Sequence, residues 1–75
     1  HGISREELKA KVETLYPDST ILRMTPGILG EEYIWEVYSK RTGPDGKRHY
    51  YYDYFRFSDG EHLETYWLDR FYFNG

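Results

Sequence analysis

Cysteine is absent from the 75 residues, and that absence removes disulfide frameworks, thiolate zinc sites and cysteine nucleophiles together. Long apolar runs are missing too; no stretch approaches the roughly 20 residues that cross a bilayer as a helix. Positive charge is scarce. Ten Lys and Arg stand against thirteen Asp and Glu, a formal charge of −3, and the basic residues gather only at Lys40-Arg41 and Lys47-Arg48. Nucleic-acid binding by counterion release needs more cation than that. Tyr54-Phe55-Arg56-Phe57 faintly matches the aromatic end of an RNA-binding strand motif, but its glycine and the surrounding element order are lacking. Gly-x-Ser-x-Gly, phosphate-loop and dinucleotide fingerprints are missing as well.

What the chain has instead is aromatic side chains: nine Tyr, four Phe and two Trp, a fifth of all residues. A chain this short buries only about 60% of its unfolded surface and needs large core residues to fold. Each aromatic supplies on the order of 150–250 Å². The length allows one domain, residues 1–75. The chain opens on His1 rather than methionine, which points to a processed product or a piece of something longer.

One helix is well marked. Ser4 and Glu7 form the S-x-x-E capping box, Ile3 and Leu8 can staple it, and Glu6 and Glu7 suit the dipole of the first turn. Leu8, Val12, Leu15 and Tyr16 follow helical spacing, and Pro17 ends the helix, predicted over about 5–16. The period then changes to two. Strands are predicted over about 20–25, where Pro26-Gly27 intervenes, and over 32–40, 48–57 and 61–68, with Phe71 to Phe73 a possible extension past Asp69-Arg70. Pro44-Asp45-Gly46 marks a hairpin turn. The expected fold is α+β, with one N-terminal helix packed on a three- to four-stranded antiparallel sheet.

A single helix covers one sheet face. Alternation puts Trp35, Val37, Phe55, Phe57, Leu63 and Trp67 beneath the Leu8/Val12/Leu15 stripe. The other face receives Tyr38, Tyr50, Tyr52, Tyr54 and Tyr66. Tyrosine offers large, stiff contact area with a polar tip, which suits recognition; its strand propensity alone also accounts for the pattern. Asp53 falls in register with Phe55 on the buried face. Either a bulge shifts the register there or Asp53 has a specific partner, and with Arg56 it also guards an aggregation-prone run.

His1, His49 and His62 lack metal-ligand spacing, so neither a metal nor a cofactor is expected. Alternation places His62 and Glu64 on one face and Glu61 on the other, a charged edge strand. His49 and Asp53 lie on one side of a strand, four residues apart. No catalytic residue is assigned and an enzyme is not expected. The rival readings are a small-ligand or metal-binding domain, or an enzyme, using His49, Asp53 or His62, and a single-stranded nucleic-acid binder.

Gly2-Ile3-Ser4 with its charged helix, Trp35-Glu36-Val37, and Ser58-Asp59-Gly60 followed by Leu63 together resemble the PepSY domain family. The order is also similar to the BamE-like lipoprotein fold, where a Gly-Ile-Ser type of helix start precedes a Phe-x-Asp-Gly turn such as Phe57-Ser58-Asp59-Gly60. The resemblance implies a non-catalytic binding or regulatory module of a bacterial cell-envelope or secreted protein. It implies an extracytoplasmic location, a protein partner or self-association, no nucleic acid, and a membrane link only through a segment outside this chain.

Overall fold

The capping box forms as the spacing predicts: Glu7 N–H donates to Ser4 Oγ at 3.1 Å, and Ser4 N–H donates to Glu7 Oε1 at 3.0 Å. It opens helix α1, Arg5–Leu15, in a computed structural model that describes residues 2–68. Tyr16 caps the far end, where its N–H returns to the Val12 carbonyl. Four strands follow: β1 Thr20–Leu29, β2 Glu32–Thr42, β3 Arg48–Arg56 and β4 His62–Leu68. They form one antiparallel sheet in the order β1-β2-β3-β4. The protein is therefore an α+β fold, one helix packed on a four-stranded antiparallel meander. The stretch from Asp69 through Phe73, including the expected extension at Phe71 to Phe73, lies outside the described residues.

Three glycines with positive φ turn the chain. Gly30 (φ 64) is the first residue of the two-residue β1–β2 loop, as a II′ turn requires, and Gly46 (φ 82) and Gly60 (φ 75) serve the next two connections. The first strand is longer than predicted. It continues through Pro26 and Gly27 to Leu29 because β1 is an edge strand, where the missing Pro26 N–H costs no ladder bond.

The helix buries Leu8 and Val12 against Met24, Trp35, Val37 and Phe55, with Ile3, Tyr16, Ile21 and Phe57 packed around them. Three residues expected in this core are not in it. Leu15 and Trp67 are 45% and 42% exposed, and Leu63 is only half-buried. Leu63 is displaced by a register shift in β4, where Tyr54 pairs with Glu64 but Phe55 pairs with His62, whereas Trp67 keeps its expected face opposite Tyr51 and packs on His49. Leu63 is the extra residue of this bulge, and the core includes Met24 of β1, which the alternation did not predict. The bulge also separates His62 from Glu64, contrary to simple alternation: His62 stacks on Phe55 beneath the helix, while Glu64 joins the tyrosine face.

The residues just before the helix are tied to the far turn. Ile3 N–H donates to the Phe57 carbonyl at 2.8 Å, and Trp35 Nε1–H donates to the Ile3 carbonyl at 3.2 Å. A Cβ on Gly2 would run into the Phe57 ring, and one on Gly60, at its positive φ, would lie 2.6 Å from Ile3 Cδ1. Both approaches require glycine. Arg5 reaches across to β1, donating to the Met24 carbonyl at 2.9 Å while lying over Trp35.

Candidate functional site

The pairing of β2, β3 and β4 brings the five predicted tyrosines to one face. Tyr38 stands opposite Tyr52, which stands opposite Tyr66, with Tyr50 and Tyr54 two positions to either side on β3. This is the face the helix leaves uncovered. Tyr38 is buried among its neighbours, stacked on Tyr52 at 4.6 Å and on Tyr50 at 5.9 Å between ring centroids. Tyr54 and Tyr66 meet edge-on at 5.6 Å. Tyr50, Tyr52 and Tyr54 are half-buried and Tyr66 is exposed. Arg23 lies over Tyr38 and Lys40 over Tyr50, so cations close two sides of the aromatic row.

The hydroxyl tips are directed at acids. Tyr66 Oη–H donates to Glu64 Oε1 at 2.7 Å, which together with the Glu64 charge raises the Tyr66 phenol above its ordinary value. Burial, followed by a hydrogen bond to Glu36, pushes the Tyr54 phenol up to about 12. Burial likewise raises Tyr38. At neutral pH the Tyr54 and Tyr66 hydroxyls are donors held to carboxylates on a stiff aromatic platform.

On the opposite face, the question posed by Asp53 has a definite answer. Asp53 is buried at its expected register position and has a specific partner in Arg41, whose Nη1 donates to Asp53 Oδ2 at 2.6 Å. Thr65 Oγ1–H donates to Oδ1 at 2.6 Å, and His62 Nε2 lies 2.8 Å from the same oxygen. A carboxylate only accepts, so His62 carries its ring hydrogen on Nε2. The Arg41 guanidinium is itself sandwiched, 3.5 Å from the Tyr16 ring centroid and 3.8 Å from that of Tyr51. Arg41 thus leaves the surface basic group in which the sequence placed it.

Arg41, Thr65 and Tyr16 are the members of this cluster that the sequence reading missed. Arg41 stands opposite His49, and its side chain runs along β3 past Tyr51 to reach Asp53. Helical spacing set Tyr16 on the inner stripe, but nothing local coupled it to Arg41. His49 and Asp53 do not meet: His49 Nε2 sits 2.8 Å from Asp45 Oδ2, and its ring packs on Trp67 at 4.3 Å. A hydrogen bond from Lys47 N–H, then the one with His49, holds the Asp45 carboxyl below its ordinary value. Among the described residues, no three His, Asp or Glu side chains gather as a metal-binding group. No helix there is long and apolar enough to cross a membrane. Compared with known proteins, the chain matches no family model, no curated protein and no solved structure.

Proposed function

We propose that this chain is a non-catalytic binding or regulatory module of a bacterial cell-envelope or secreted protein, acting through protein contacts on its tyrosine face. The observation that carries the reading is the gathering of Tyr38, Tyr50, Tyr52, Tyr54 and Tyr66 on the face opposite the helix. Stiff aromatic area with fixed hydroxyl donors loses little conformational entropy on binding, the quality that makes tyrosine frequent at recognition surfaces. The residues a ligand- or metal-binding reading would use are engaged elsewhere: Asp53 with Arg41 and Thr65, and His49 with Asp45.

The likeness to PepSY and BamE-like domains draws support from one piece of packing. Gly2-Ile3 and Phe57 to Gly60, the two halves of the shared pattern, touch each other directly. The close approach gives a physical reason for both halves to occur in one chain.

The double substitution Tyr52→Ser with Tyr54→Ser tests the tyrosine face. A partner is captured from a bacterial envelope extract, identified and purified, then titrated with both forms of the protein. Losing two contacts of central interface quality lowers affinity by at least about tenfold, with the circular dichroism spectrum unchanged. Equal affinity of a folded double variant would refute the role of this face.

A further inference from the structure

The formal charge is unevenly spread. Glu31 and Glu32 flank the β1–β2 turn, Asp59 and Glu61 the β3–β4 turn, and Glu36 and Glu64 the strands between them. Among the described residues, Arg23, Arg56 and, from the helix, Lys11 answer these six carboxylates at that end of the sheet. Arg56 is already shared among Glu32, Asp59 and Glu61 at 2.8, 3.3 and 2.9 Å. Glu31 pairs with no cation among the described residues. Among the described residues, negative charge is therefore in excess at this end.

An apolar cleft opens at the same end. It encloses about 320 Å³ between Pro26, Gly27, Tyr33, Ile34 and Phe57, and none of these residues is charged. A second cleft shares its Tyr33 and Phe57 walls and is bordered by Glu31, Glu32 and Arg56. Among the described residues the two most exposed large apolar side chains are Tyr33 itself at 70% and Ile28 at 67%, directly opposite each other in the β1–β2 pairing. Apolar area this open, bordered by net negative charge, marks an interaction site.

We propose that this cleft docks a short peptide segment that presents one apolar side chain flanked by Lys or Arg. A volume at the bottom of the ligand-pocket range, roughly 300–1,000 Å³, suits one side chain and its neighbours. The cationic flanks meet Glu31 and the acid cluster around Arg56. Pro26 has no N–H to offer on the adjoining edge, so recognition there runs through side chains rather than strand addition. The site is distinct from the tyrosine face and stands whether or not that face binds a partner.

The test uses the full chain labelled with ¹⁵N and three capped peptides built around Lys-Phe-Lys, Glu-Phe-Glu and Lys-Ser-Lys. Lys-Phe-Lys shifts the amides of Gly27, Tyr33, Ile34 and Phe57 in a saturable way, and the other two bind at least about fivefold more weakly. Glu31→Lys lowers the affinity about threefold, as expected for an exposed charge. Tyr33→Ser abolishes saturation. Both side chains are exposed, so both variants keep the parent unfolding temperature. Raising salt weakens the Lys-Phe-Lys complex. Equal binding of all three peptides overturns the proposal, as do shifts confined to Tyr52, Tyr54 and Tyr66. Self-association through this end, detected by light scattering without peptide binding, also overturns it.

Discussion

A carboxylate taken out of water is costly unless a counter-charge and further hydrogen bonds replace its hydration. Asp53, 1% exposed, has Arg41 on one oxygen and Thr65 and His62 on the other. Arg41, 5% exposed, has its charge spread against two tyrosine rings. Removing only the acid strands the guanidinium. Asp53→Ala therefore costs about 3–5 kcal/mol, much of the ~5 kcal/mol stability expected at this size, and urea titration reads the loss directly. Replacing both partners, Arg41→Met with Asp53→Leu, restores most of it, because apolar residues of similar volume leave no charge stranded. A double variant as unstable as Asp53→Ala would show that the pair is not what holds this site. Period-two alternation was enough to mark Asp53 as anomalous. It could not name the partner, since Arg41 reaches along the strand and His62 arrives only through a bulge one residue away.

At the scale of the element, α1 was legible nearly to the residue because its signals are local: a capping box, a charged first turn, and a proline after Tyr16. The first strand was read too short for the complementary reason. Pro26-Gly27 is a stop signal in an interior strand, but which strand lies at the sheet edge is a property of the whole sheet. The predicted helix-facing core was right for Trp35, Val37, Phe55 and Phe57; the bulge takes Leu63 out of it, and Trp67, on the expected face, stays 42% exposed beside His49 and Tyr51. Two elements depend on single residues. Ser4→Ala removes the cap and costs about 1 kcal/mol. Gly60→Ala costs more, about 2 kcal/mol, since a left-handed φ and the approach of Ile3 both oppose a Cβ. Thermal unfolding of the two variants should rank them in that order; the reverse order would mean that the helix cap matters more than the turn contact.

For the whole molecule, pH acts on stability from both ends of the scale. Hydrogen bonds lower four carboxyls below their ordinary 4.5 or 3.8: Glu7 at the Ser4 cap, Asp18 through the Thr42 side chain and then its N–H, and Asp45 and Asp59 through turn N–H groups. Depressed carboxyls bind fewer protons folded than unfolded. Their stabilisation is thus complete above those ordinary values and drains away as pH falls through the lower folded ones. Tyr54 behaves oppositely: its phenol is raised from 10.0 to about 12, so its contribution is complete below pH 10.0 and lost as pH climbs through about 12. For these groups the urea midpoint is flat through neutrality, declines in acid, and declines again in strong alkali. Tyr54→Phe removes the Tyr54 share of the alkaline decline while leaving the acid limb in place. An alkaline limb identical in both forms would contradict this account.

The Gly2-Ile3 contact with Phe57 and Gly60 also bears on the order of events while the chain is being synthesised. Helix α1 and the β1–β2 hairpin are complete by Thr42, yet their apolar sides have no Phe55 and no clasp until β3 and its turn have emerged. Contacts so distant in sequence repay their loop-closure entropy only when they form, which slows folding relative to a chain of local contacts. The nascent protein therefore carries Leu8, Val12 and Trp35 only partly covered, without Phe55, while its most aromatic strand is still being added. This is the interval in which it is most open to misassociation.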